Sequence, residues 1–84
     1  MVNIITDVKD VEIRGVEHKQ SQQGKEYLIV SIDDNRGKRS ELYCRDVGKE
    51  SEYTRGKVGT ARVEITVGKF AKVELLDFTQ DTPF

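Results

Sequence analysis

The chain contains one cysteine, one histidine, one proline, one methionine and no tryptophan. A single cysteine excludes an internal disulfide framework, and one cysteine with one histidine is too few for a zinc site within one chain. No apolar run approaches the ~20 residues of a membrane-spanning helix. Residues Met1 to Asp7 lack the basic stretch and long apolar run of a signal peptide. These absences predict a soluble protein of the cytoplasm that needs no metal or cofactor. Size is the other scarcity, because 84 residues make one small domain. Such a domain buries only ~60–65% of the surface its unfolded chain exposes, so self-association is the expected supplement to its stability.

No sign of charge dominates, with 14 Lys and Arg against 15 Asp and Glu. The chain is therefore no uniformly basic coat for nucleic acid, but its charges are segregated. Four bases (Arg36, Lys38, Arg39, Arg45) and one acid (Glu41) fall between Asn35 and Arg45. Lys19 and Lys25 follow His18 with no acid between them, and after Lys72 there are acids but no base. The first-half loops are basic and the end is acidic.

What is plentiful is alternation. Seven glycines punctuate the chain, and between them the hydrophobic period is two rather than 3.6. Val11, Ile13 and Val16 open a first strand that runs towards Lys19. Leu28, Val30 and Ile32 make a second, closed by the turn Asp33-Asp34-Asn35-Arg36-Gly37. Leu42 and Cys44 alternate in a third. Ala61, Val63, Ile65 and Val67 give the cleanest alternation, and a turn at Gly68-Lys69-Phe70 leads into a fifth strand over 72–78. Only Asp46 to Arg55 escapes the pattern, with room for one helical turn but no apolar stripe. Five short strands with one irregular insert after the third predict an all-β OB-fold, a five-stranded Greek-key barrel with a protruding hairpin. An SH3-like barrel is the competing architecture. The expected division is a domain over 1–78 and a short acidic tail over 79–84.

Catalytic patterns are absent. His18 has no Ser or Cys near it in sequence, and no nucleophile elbow or phosphate-cradling glycine loop occurs. Cys44 reads as a buried strand residue, and Asp33-Asp34 reads as turn chemistry rather than a metal site. The chain is expected not to be an enzyme. Binding features are stronger. Tyr27 alternates away from Leu28, Tyr43 points opposite to Leu42 and Cys44, and Phe70 lies in the last turn. Lys19, Lys25, Arg45 and Lys69 accompany them, and Arg36, Lys38 and Arg39 crowd one turn. Aromatic rings stack on bases for ~1–3 kcal/mol each while Lys and Arg neutralise the phosphates, which is what a single-strand surface requires.

The segment Ser21-Gln22-Gln23-Gly24-Lys25-Glu26-Tyr27 resembles the Ser-x-x-Gly-Lys-x-Tyr segment of filamentous-phage single-stranded DNA-binding proteins of the gene V type. Tyr53-x-x-Gly56 and Val67-Gly68-Lys69-Phe70, with the apolar strand after them, are similar in order and spacing. The resemblance runs loosely from Val11 to Phe78. It implies a dimeric OB-fold protein that coats single-stranded DNA cooperatively in a bacterial host. On that resemblance Lys25 and Tyr27 take the binding-loop positions, Arg45 falls close to a contact lysine, and Phe70 falls on the stacking aromatic of the hairpin tip. The chain departs from the family where Gln22 replaces an arginine and Asn35 a tyrosine. A basic pair of the last strand falls near Asp77 and Thr79, which puts that part of the surface in doubt and leaves Arg36, Lys38 and Arg39 as substitutes.

The end of the chain, Asp81-Thr82-Pro83-Phe84, resembles the acidic tip of bacterial single-stranded DNA-binding proteins. A terminal ring beside a free carboxylate suits an apolar pocket rimmed by Arg or Lys. Asp81, Pro83 and Phe84 are thus the expected contacts to replication or recombination proteins. The combined expectation is a non-catalytic, homodimeric single-stranded DNA-binding protein of a phage or mobile element. An RNA-binding or primosomal OB protein, and a β-barrel adaptor that binds only protein, are the alternatives.

Overall fold

A computed structural model describes residues 2–81. Five strands follow in order: β1 (Val2–Gln20), β2 (Glu26–Asp33), β3 (Arg39–Cys44), β4 (Val58–Val67) and β5 (Lys72–Gln80). A short 3-10 helix, Val47–Glu52, lies between β3 and β4. The pairings close a ring in the order β1-β2-β3-β5-β4. All are antiparallel except the β3–β5 junction, which is parallel. Order and strand sense are those of an OB fold.

Alternation chose the inward face. Leu28, Val30 and Ile32 of β2, Leu42 and Cys44 of β3, and Ala61 and Val63 of β4 are all buried. Val11 and Ile13 of β1 and Leu75 and Phe78 of β5 complete the barrel interior. Leu75 and Phe78 lie three apart, which strict alternation forbids. The register explains this: Arg62 faces Asp77 while Val63 faces Leu75, so Leu76 is an extra residue that resets the phase. Gly59 is needed where β4 and β5 close up, since a Cβ there would collide with the Thr79 carbonyl oxygen.

Three expectations need correction. β1 begins at Val2 rather than near Val11, because Val2, Ile4, Thr6 and Val8 pair with Val67, Ile65, Val63 and Ala61. Charged Asp7, Lys9 and Asp10 obscure the alternation there, and an irregularity between Val8 and Val11 shifts it. β5 runs past Phe78: Thr79 and Gln80 pair with Thr60 and Gly59, and the Asp81 N–H donates to the Val58 carbonyl at 2.9 Å. The tail therefore cannot start at 79. The insert over 46–55 does contribute to the core, through Tyr53, which is 2% exposed, and Val47, which packs against the same cluster. Asp46 caps its helix by accepting from the Gly48 N–H at 3.1 Å. Lys49 ties the helix to β5 by donating to the Leu76 carbonyl at 2.9 Å.

β1 serves two neighbours in turn, which explains its 19 residues. Its second half pairs with β2 and its first half with β4. Beyond the barrel, the first half of β1, the end of β4 and the start of β5 form a three-stranded wing. The expected protruding hairpin thus has a third strand. One face of the wing continues the barrel's apolar lining into solvent: Val2, Ile4, Val8, Val67 and Val73 are all exposed there.

Candidate nucleic-acid interface

OB folds present ligands to the outer face of β2 and β3 and to the loops after β1 and β4. Here that face carries Tyr27 and Ile29 on β2 and Glu41 and Tyr43 on β3, with Ile29 directly opposite Tyr43. The rings of Tyr27 and Tyr43 lie 5.3 Å apart between centroids and tilted by 32°. The sequence has the two residues sixteen positions apart, and strand pairing makes them one aromatic surface. Tyr27 is half-buried and Tyr43 is 41% exposed, enough to offer a ring face to a base. Lys19 sits opposite Tyr27 on β1. Lys25 lies in the tight loop before β2, where its N–H donates to the Ser21 hydroxyl at 3.1 Å.

A groove of about 790 Å³ runs from this face to the polar side of the wing. Ile29 and Tyr43 form one wall, and Asn3, Thr66 and Lys72 the other. Sequence reasoning missed the second wall, because Asn3, Thr66 and Lys72 belong to three separate strands. Their only sequence signal was position, as polar residues alternating with the wing's apolar ones.

The bases are not equally available. Arg45 is held bidentate by Glu74, with Nε to Oε2 at 2.7 Å and Nη2 to Oε1 at 2.8 Å. That carboxylate raises Arg45 above its ordinary value by hydrogen bonding and by charge. Its guanidinium remains largely exposed, fixed as a flat surface beside Tyr43. Arg39 is held by Asp33 at 3.0 Å, and Lys19 lies 3.5 Å from Glu17. Lys25, Arg36, Lys38, Lys69 and Lys72 make no ion pair among the described residues.

The expected site residues fall into separate groups. Lys19, Lys25, Tyr27, Tyr43 and Arg45 converge on one face. Lys69 and Phe70 sit at the wing tip, where the Lys69 ammonium lies 5.9 Å from the Phe70 ring centroid and Phe70 is 75% exposed. Arg36, Lys38 and Arg39 occupy the β2–β3 turn, at the opposite end of that hairpin from Tyr27. Asp34 builds this turn, its Oδ1 accepting from the Arg36 and Lys38 N–H groups at 2.9 Å each. Both carboxylates of the Asp33-Asp34 pair thus have protein partners. Of the three tail residues, Asp81 is exposed, and Pro83 and Phe84 lie outside the described residues.

The remaining reactive groups are engaged in structure. The Cys44 thiol contacts the Tyr53 hydroxyl and the Asp46 carbonyl, each at 3.7 Å. Burial, reinforced by the Cys44 contact, raises the Tyr53 hydroxyl above its ordinary value. His18 lies between two carboxylates, Glu26 at 3.4 Å and Glu50 at 3.2 Å, linking β1, β2 and the 3-10 helix. No helix among the described residues is long and apolar enough to cross a membrane. No family model matches this chain, and no curated protein or solved structure matches it either.

Proposed function

We propose that this chain is a non-catalytic OB-fold protein that binds single-stranded DNA largely without regard to sequence. It works as a homodimer in the replication or recombination of phage or mobile-element DNA. The observation that carries the reading is the Tyr27–Tyr43 surface on the ligand face of β2 and β3, with Lys19, Lys25 and Arg45 around it. Bases stack on such rings whatever their identity, and the cations hold the phosphates. Phe70 at the wing tip supplies a further ring to a strand leaving the groove. The exposed apolar face of the wing supports the second copy, because a small barrel gains by covering it. The tail, with Asp81 followed by Pro83 and Phe84, recruits replication or recombination proteins.

The test is a titration of poly-dT against intrinsic tyrosine fluorescence across a salt series. With no tryptophan present, quenching reports on the tyrosines alone. The expected result is quenching together with an affinity that falls as salt rises, as counterion release requires. Absence of quenching at low salt, or salt-independent binding, overturns the reading. Poly-rU in the same titration decides between DNA and RNA.

A further inference from the structure

Strands β3 and β5 meet at a single place. Their parallel pairing comprises one Cα pair, Tyr43 with Glu74, although β3 is paired with β2 throughout Arg39–Cys44 and β5 with β4 from Lys72 onward. Upstream of that pair the two strands part. The 790 Å³ groove opens on the outer side of the gap, and a second groove of about 320 Å³ opens on its inner side. Glu41 of β3 and Val73 of β5 line both, so the two grooves flank the same slot between the strands. Along Arg39–Leu42 the slot-facing backbone edge of β3 has no strand opposite it. Such an edge is a template for one more strand.

The two sides of the slot differ in chemistry. Inward lie Leu42, Val63, Ile65 and Val73, with Asp34, Lys38 and Ser40 also in the lining. Outward lie Glu41, Glu64 and Glu74 beside Arg45 and Lys72; Glu74 takes up Arg45, which leaves two carboxylates, Glu41 and Glu64, without an ion pair among the described residues against one such cation, Lys72. Successive side chains of a strand point to opposite faces. We propose that the slot binds an extended segment of a partner protein whose side chains alternate apolar and basic, added as a strand to the β3 edge. Its apolar residues enter the inner groove and its lysines or arginines meet Glu41 and Glu64. The backbone bonds supply affinity and the alternate side chains supply specificity. Because Tyr43 and Arg45 line the same outer groove, and Val8 and Val73 of the wing's apolar face line the inner one, the segment competes with a single strand for the first and with the second copy for the second.

A labelled heptapeptide of alternating valine and lysine tests this with the full chain. Its controls are the block isomer with all valines before all lysines, and the alternating valine–glutamate peptide. Fluorescence anisotropy should show the alternating basic peptide bound at least about tenfold more tightly than either control, the scale of one well-made strand-edge contact with its charge pair. Amide shifts on binding should centre on Arg39–Leu42. Glu41 is exposed, so Glu41→Lys should leave the melting temperature in place and weaken the peptide by about tenfold. Equal binding of the block isomer, amide shifts confined elsewhere, or indifference to Glu41→Lys overturns the proposal. The peptide experiment uses no nucleic acid, so its failure is distinct from failure of the single-strand reading.

Discussion

Tyr27 and Tyr43 differ in exposure, and that difference separates binding from folding in experiment. Tyr43 is the more exposed ring, so Tyr43→Ala should lower single-strand affinity by ~1–3 kcal/mol with little change in melting temperature. Tyr27→Ala should lower affinity similarly and also cost stability, because that residue is partly buried. Paired melting and binding curves check both. Asp34 offers a pH signature of its own. The Lys38 N–H, then the Arg36 N–H and both positive charges, hold its carboxyl below the ordinary value. A depressed folded pKa means that the contribution is complete above the unfolded value of about 3.9 and is lost as pH falls through the lower folded value. The Arg36 and Lys38 amide resonances should therefore keep their native shifts below the usual aspartate midpoint and move together at lower pH. Asp34→Asn should abolish that step, and an unchanged profile would refute the role given to this carboxylate.

Among the elements, β1 carries the most unusual demand, since it must leave the wing and bend into the barrel. It does so at an irregularity where Val8 faces Ala61 and Val11 faces Gly59. Asp10, within it, has a φ of 60°, a left-handed conformation that costs most L-residues. Glycine adopts it freely. Asp10→Gly should thus raise stability by about 0.5–1 kcal/mol, measured by denaturant midpoint, as relief of the left-handed backbone outweighs the added freedom of the unfolded chain. A loss of stability would place more weight on the aspartate side chain than on backbone relief. The 3-10 helix acts at the same scale. It has no apolar stripe, yet it positions Val47 and delivers Tyr53 to the barrel interior.

For the whole molecule, the decisive feature is the wing, which extends the barrel's apolar face without covering it. Ile4→Glu places a charge on that face at a residue 47% exposed in the single chain. Sedimentation should show a dimer for the parent chain at micromolar concentration and a folded monomer for Ile4→Glu. A parent chain that stays monomeric and very stable would remove the homodimer from the proposed function.

The sequence by itself determined the elements whose side chains alternate cleanly. Leu28, Val30 and Ile32, and Ala61 and Val63, were readable as core strands because burying one face of a pleated strand imposes period two. The turn at Asp33–Gly37 was readable because aspartate bonds its own following backbone. Tyr27 and Tyr43 were readable as outward residues by the same alternation. Other features had no local signal. A bulge resets the phase in β1, so Val2 to Val8 did not read as part of the first strand, and another in β5 breaks the alternation between Leu75 and Phe78. Tyr53 lay in a polar insert, and only the open end of a closed barrel made it core. The 5.3 Å approach of Tyr27 to Tyr43, the capture of Arg45 by Glu74 and the slot between β3 and β5 all join residues from different strands. Pairing register and ring closure decide which strands become neighbours, and no stretch of contiguous sequence contains that information.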